Sequence, residues 1–222
     1  MAPFAGIGGF VVRLFGFGRF EFNPQLCEVC IGSIGKHRGG AEVDVSLLFV
    51  DVRGSTSLGE RVTPSQFRGL LDRFYRTVAM AVDRHDGVID NMVGDGVMAM
   101  WIPAFTSGQH ARSAIDAGIE VLERIDKHAE DVRLPVGGGV HTGVAYVGVV
   151  GDEQSLDFTT LGDAPNTASR VGSAANEGEL LVTRAAAIAA GLSVDLLETR
   201  FLELKGKAEP VETLVVRQPV AA

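Results

Sequence analysis

GVIDNMVGDGVMAMWI, residues 87–102, is the stretch whose reading decides the fold. Two apolar, β-favouring runs, Val88–Val93 and Gly96–Ile102, flank the dipeptide Gly94-Asp95. A two-residue Gly/Asp connection between such runs is a β-hairpin signal, because glycine reaches the left-handed backbone that tight hairpins need. The hairpin places Asp95 at its tip, at one end of whatever sheet it joins.

Upstream, Val43–Val52 (VDVSLLFVDV) is apolar and β-branched and predicts a buried strand. It runs into Asp51 and the polar turn Arg53-Gly54-Ser55-Thr56. A helix is expected from Thr63, which serves as N-cap with Pro64 at the first helical position. Phe67, Leu70, Leu71, Phe74, Val78, Ala81 and Val82 form its apolar face, and Gly87 is read as its stop. Downstream, Ser107 is read as the cap of a second long helix carrying Ala111, Ala114, Ile115, Gly118, Val121, Leu122 and Ile125 on one side. Strands are expected at about 135–141, 144–150 and 156–161, a short helix near Ala164, and later strands at Leu180–Val182, Phe201–Leu204 and Thr213–Val216. Hairpins outnumber strict βαβ units, which argues for an α+β fold in which helices cover a mostly antiparallel sheet.

The chain has 222 residues, 46% hydrophobic and 22% charged, enough apolar content for a sizeable core. A formal net charge of −8 disfavours a nucleic-acid-binding surface but leaves a nucleotide ligand open. Residues 1–40 read as an N-terminal arm and linker, and 41–219 as one domain. The arm's FAGIGGFVVRLFGFGRF, residues 4–20, is apolar, glycine-rich and interrupted by Arg13, and falls short of a spanning helix. It reads as a hydrophobic arm packed on the domain or on a dimer partner, or as a membrane-surface segment with Arg13 and Arg19 toward headgroups. Cys27 and Cys30, the two cysteines of the chain, read as reduced thiols in the arm; the alternatives are part of a zinc site, with His37 or across a dimer, and a redox pair. The expected location is cytoplasmic, with the arm as the possible point of membrane association.

If the hairpin pairs beside the Val43–Val52 strand, Asp51 and Asp95 converge at one end of the sheet. Two converging carboxylates suit a hard divalent cation. Each aspartate alone reads equally as a turn or cap residue, and the spacing by itself does not decide.

The ordered set decides. LLFVDVRGSTSL, VIDNMVGDGVMAMW, GVHTGVAYVGVVG, DFTTLGDAPNTASR and LELKGK resemble, in order, the class III adenylyl/guanylyl (nucleotidyl) cyclase catalytic domain, over about residues 43–217. The resemblance implies a ferredoxin-like, palm-type core and conversion of ATP to 3′,5′-cyclic AMP and pyrophosphate with two divalent metal ions, Mg²⁺ or Mn²⁺. It implies that Asp51, Asp95 and the Val52 carbonyl hold metal, that Asn166 orients the ribose, that Arg170 meets transition-state charge and that Lys205 holds the terminal phosphates. It also implies a head-to-tail homodimer, with Asp51 and Asp95 from one chain facing Asn91, Thr159, Asn166, Arg170 and Lys205 of the other. The chemistry is consistent: Arg170 offers planar donors to the α-phosphate, and Asn166, four residues earlier, shares its helix face. His141, in GVHTG, is expected to be a packed structural histidine.

The sequence departs from the pattern at Asn91, where adenine-selective members usually carry lysine. Asn91 and Thr159 can each donate or accept, so purine discrimination is expected to be weak, with ATP preferred and GTP a second substrate. Pro165 stands where a β-branched residue is frequent and fits a first helical turn. Ser55 replaces a phenylalanine frequent in animal members.

Overall fold

The computed structural model describes residues 39–127, 134–151 and 156–217. The expectations for the arm, including residues 4–20, Cys27, Cys30 and His37, lie outside these. Two units are distinguished: Val43–Ala145 with Leu161–Ala222, and Met1–Glu42 with Tyr146–Thr160.

In the larger unit, β1 (Gly40–Val52, entering the unit at Val43) is buried on both faces from Val45 onward, which is why its sequence is continuously apolar rather than alternating. A left-handed Gly54 (φ 60°) turns the chain into α1 (Ser55–Arg61), a short helix where the sequence predicts only a turn; Leu58 is its one buried residue. α2 (Pro64–Arg84) starts as expected. The Thr63 side chain accepts from the Gln66 amide, and Gln66 Oε1 accepts in return from the Thr63 amide.

The end of α2 corrects the sequence reading. The left-handed residue is Asp86 (φ 58°), with its amide donating to Asp83 O and that of Gly87 to Val82 O, a Schellman closure. Gly87 is required for another reason: a Cβ there would lie 2.5 Å from the Trp101 ring. Trp101 Nε1 donates to His85 O at 2.8 Å, so the end of α2 is seated directly on the indole.

β2 (Val88–Val93) and β3 (Gly96–Trp101) form the expected hairpin around Gly94 (φ 60°) and Asp95, with one register shift between Ile89 and Asn91. β3 pairs antiparallel with β1, from Ser46 opposite Trp101 to Asp51 opposite Gly96. α3 spans His110–Lys127. Ser107 is not its cap: Ser107 is left-handed (φ 51°) inside a turn closed by Gly108 N to Pro103 O, so the chain becomes helical only afterwards. β4 (Val136–Gly151) is one strand rather than the expected two, since its glycines continue the ladder instead of interrupting it. α4 (Asp163–Ser173), β6 (Glu179–Thr183), α5 (Arg184–Ala189), β7 (Glu198–Leu202) and β8 (Val211–Arg217) complete the unit. The strand order is β2-β3-β1-β4-β6-β8-β7, antiparallel in the β1–β3, β2–β3, β6–β8 and β7–β8 pairs and parallel between β4 and β6.

Alternation along the strands separates two faces. Leu48, Val50 and Val52 of β1, with Val97, Trp101, Leu180 and Val182, join Phe74, Val78, Val82, Ile115, Val121 and Leu122 of α2 and α3 in the main core. On the opposite face α4 lies close to the sheet: a Cβ on Gly172 would meet Phe49, and one on Gly139 would meet the Gly172 amide at 2.4 Å. Val171, Ala175, Leu181 and Val215 form the second cluster.

The smaller unit contains the start of β1, the continuation of β4 and β5 (Leu156–Leu161), which pairs with β4. No helix among the described residues is long and apolar enough to cross a membrane.

Candidate active site

The carboxylates are set by the hairpin register. Asp51 lies opposite Gly96, and the Val52 amide donates to Asp95 O at 3.0 Å. Backbone pairing therefore brings Asp51 and Asp95 to the same end of the sheet, as the hairpin reading expects. Tyr75, reaching from α2, donates its hydroxyl to Gly94 O and so holds the hairpin tip from the side. Burial, then the charges of Asp95 and Asp72, raise the Tyr75 pKa, keeping the phenol a donor.

Asp51 shares the β1 face of Phe49, the side toward α4. There it meets Arg53. The two side chains form an ion pair, about four-fifths removed from solvent. Arg53 Nη1 also donates to Ser173 O at 2.7 Å, at the end of α4, and its amide to Pro135 O at 2.6 Å. Burial lowers the Arg53 pKa and the charge of Asp95 opposes that, so the guanidinium sits in the field of both carboxylates.

A second group is organised on α4. Asn166 and Arg170 are one turn apart, as expected, and Asn166 Nδ2 donates to Gly162 O at 3.0 Å. Arg170 Nη1 donates to Lys205 O, bringing the β7–β8 loop against the helix from 35 residues away. Lys207 closes the same loop onto Asp163, the first residue of α4, whose Oδ2 also accepts from Thr167 Oγ1 at 3.3 Å. The Lys207 hydrogen bond is the main cause that holds the Asp163 carboxyl below its ordinary range. Gly206 between the two lysines takes φ 84°, the left-handed turn the loop requires.

Asn91 is exposed on β2, opposite Met98, and Thr159 is half-buried on β5 in the smaller unit. His141 is half-buried and bonded to Thr183 Oγ1 through Nδ1 at 3.1 Å. Burial, reinforced by Lys207 and opposed by Asp163 and Asp44, lowers its pKa from 6.5 to about 4, so it is neutral at physiological pH and satisfied in place.

The structure thus brings Asp51, Val52 and Asp95 together, and Asn166, Arg170 and Lys205 together, with Arg53 linking the first group to the helix of the second. Sequence reasoning missed Arg53, Tyr75, Asp163 and Lys207. Arg53, Asp163 and Lys207 lie inside the quoted motifs; their signal was a charge beside a candidate site residue.

The residues present fit a metal of the kind the motifs imply. Asp51 Oδ1 is enclosed and faces the Arg53 guanidinium, an anionic oxygen held against a positive charge where a metal cation would also be accommodated. Among the described residues no group of three or more His, Cys, Asp or Glu is placed to hold a metal. The protein's share of a shell would be the carboxylates of Asp51 and Asp95 and the Val52 carbonyl, with phosphate and water oxygens completing it, as magnesium-type ions accept.

Residues 40–217 match the family described as the adenylate and guanylate cyclase catalytic domain. The chain belongs to that family. This cyclase domain is 30% identical over 167 residues to an adenylate cyclase of Anabaena cylindrica, covering 70% of the chain and 32% of that protein. It is 33% identical over 144 residues to adenylate cyclase 1 of Rhizobium meliloti (strain 1021), covering 61% of the chain and 22% of that protein. The chain thus spans a third or less of these curated relatives. Among solved structures it superposes on the guanylyl cyclase Cya2 with TM-score 0.74 and 25% identity, covering 80% of this chain and 93% of that one. On the adenylyl cyclase CyaB from P. aeruginosa the values are 0.71 and 26%, covering 82% and 98%. The α+β fold expected from the sequence is the fold of these domains.

Proposed function

We propose that this cyclase domain converts ATP to 3′,5′-cyclic AMP and pyrophosphate in a head-to-tail homodimer, with GTP as a slower substrate. The observation that carries the reading is the register of β1 on β3, which sets the Asp51 and Asp95 carboxylates at the same end of the sheet.

Asp51, Asp95 and the Val52 carbonyl are the residues that would hold two divalent ions, which when bound supply Lewis acidity toward the attacking hydroxyl and the leaving phosphates. The partner chain's copy of α4 would face them. Asn166 orients the ribose so that its 3′-oxygen lies in line with the α-phosphorus. Arg170 donates to the α-phosphate oxygens as charge builds there, and Lys205 to the terminal phosphates. The 3′-oxygen–phosphorus bond forms as the bond to the β-phosphate oxygen breaks, pyrophosphate leaves, and the hydroxyl proton passes to solvent. With one of each residue per chain, a two-fold dimer holds two equivalent sites. Asn91 and Thr159, as base-reading candidates, donate or accept equally, which is the basis for admitting both purines.

The test is product formation by the purified chain with Mn²⁺ or Mg²⁺, given ATP or GTP separately, beside Asp51→Ala. Cyclic AMP formed by the native chain and lost in the variant supports the proposal. Cyclic GMP alone reassigns the purine. No product from a folded dimer, with nucleotide still bound, makes the domain a regulatory nucleotide-binding module.

A further inference from the structure

Arg53 has no place in the proposed chemistry, yet it is largely enclosed, pairs with Asp51 and sits in the field of Asp95. Asp51 and Asp95 stand at the same, hairpin end of the sheet, and negative charges near one another in a partly desolvated setting repel. The compensating charge comes from two residues along the same chain. Arg53 pairs with Asp51 while its other nitrogen, Nη1, is tied to Ser173 O, and its amide is fixed to Pro135 O. Arg53 Nε and Nη2 are enclosed with the Asp51 carboxylate, so the positive charge is held beside the negative one away from solvent. A divalent cation carries twice the charge of the guanidinium and would compete for the same carboxylate.

We propose that Arg53 is a built-in counter-ion for Asp51, which stabilises the metal-free domain and which an incoming divalent cation must displace from the carboxylate. The inference rests on the reading of Asp51 and Asp95 as the metal carboxylates. On displacement the guanidinium stays tethered to the end of α4 through Ser173 O. Arg53 therefore lowers intrinsic metal affinity and makes tight metal loading depend on the extra oxygens that a triphosphate brings.

The experiment measures Mn²⁺ binding to the full chain without nucleotide, by the loss of the free-ion electron paramagnetic resonance signal, together with thermal unfolding with and without Mn²⁺. Arg53→Met is expected to bind Mn²⁺ about tenfold more tightly than the native chain, from removal of one adjacent positive charge in a half-screened site. Its melting temperature should fall without metal, and its rise on adding Mn²⁺ should exceed the native rise. Arg53→Lys, which keeps the charge, should bind Mn²⁺ within about twofold of native. In an Asp51→Asn background, Arg53→Met should lower the metal-free melting temperature by less than it does with Asp51 in place, the remainder being the lost bond to Ser173 O. A native chain that binds Mn²⁺ while Arg53→Met binds it equally or more weakly overturns the counter-ion inference alone. If neither the native chain nor Arg53→Met binds Mn²⁺, the metal reading beneath it is overturned; binding by Arg53→Met alone supports the inference. Should Arg53→Met fail to fold, Arg53→Gln, which retains hydrogen bonding to Ser173 O, replaces it with the same expectations.

Discussion

Val52 and Asp95 are joined by their backbones, the amide of one donating to the carbonyl of the other at 3.0 Å. The carboxylate of Asp95 is thereby positioned from the strand that carries Asp51, and the two acidic side chains share one mechanical support. Tyr75 adds the lateral brace, by donating to the carbonyl of Gly94.

Removing that brace should loosen the hairpin tip without removing a ligand. Tyr75→Phe deletes one hydrogen bond, a net loss of about 1 kcal/mol. Steady-state assays should show about a fivefold loss in kcat/KM at limiting Mn²⁺, recovered in part at saturating Mn²⁺. A loss independent of metal concentration would place the effect in the core around Phe74 instead.

Asn91 should control purine choice. Asn91→Lys supplies a side chain that only donates, which suits N1 of adenine and opposes N1–H of guanine. The ratio of kcat/KM for ATP over GTP should rise by roughly tenfold, the scale of one discriminating hydrogen bond in an exposed site. An unchanged ratio would mean that Asn91 stays clear of the base.

Shared sites can be tested by mixing inactive chains. Asp51→Asn and Arg170→Ala should each be inactive alone. Co-expressed, they should recover about a quarter of native activity, since half of randomly formed dimers are mixed and each of these keeps one complete site. A mixture no more active than its components would contradict the head-to-tail arrangement.

Acid should destabilise the domain in two steps. The His141 pKa falls from 6.5 to about 4 on folding, chiefly through burial. Between those values the unfolded chain binds the proton and the native chain does not, so stability declines as pH falls through that window. The Glu179 pKa falls from 4.5 to about 2, chiefly through the hydrogen bond from Arg200. Its contribution is present above 4.5 and is lost as pH falls toward 2. Melting temperature against pH should show both limbs; His141→Asn should flatten the upper one and Glu179→Gln the lower.

What the sequence made legible was local. The Thr63 N-cap followed by Pro64, the Gly94-Asp95 hairpin and the shared helical face of Asn166 and Arg170 each need only neighbouring residues and a known period. The misreadings were non-local. Gly87 looked like a helix stop, but its missing side chain makes room for Trp101, and Asp86 does the turning. Ser107 looked like a cap, but the turn closed on Pro103 decides where α3 starts. For the candidate site, the motifs named the residues but not their braces. The Lys207–Asp163 pair spans 44 positions and the Arg53 bond to Ser173 O spans 120, separations at which no spacing rule operates.

The loop between β7 and β8 is fastened to α4 at both ends of the helix's first two turns, by Lys207 on Asp163 and by Arg170 on the carbonyl of Lys205. Asn166, Arg170 and Lys205 consequently travel as a single rigid cassette despite their distance in the chain. A small swivel of that cassette changes its gap to the carboxylates while leaving its own internal spacing intact. Under the proposed function, a turn of α4 would meter the reaction by alignment alone, with the spacing of Asn166, Arg170 and Lys205 kept.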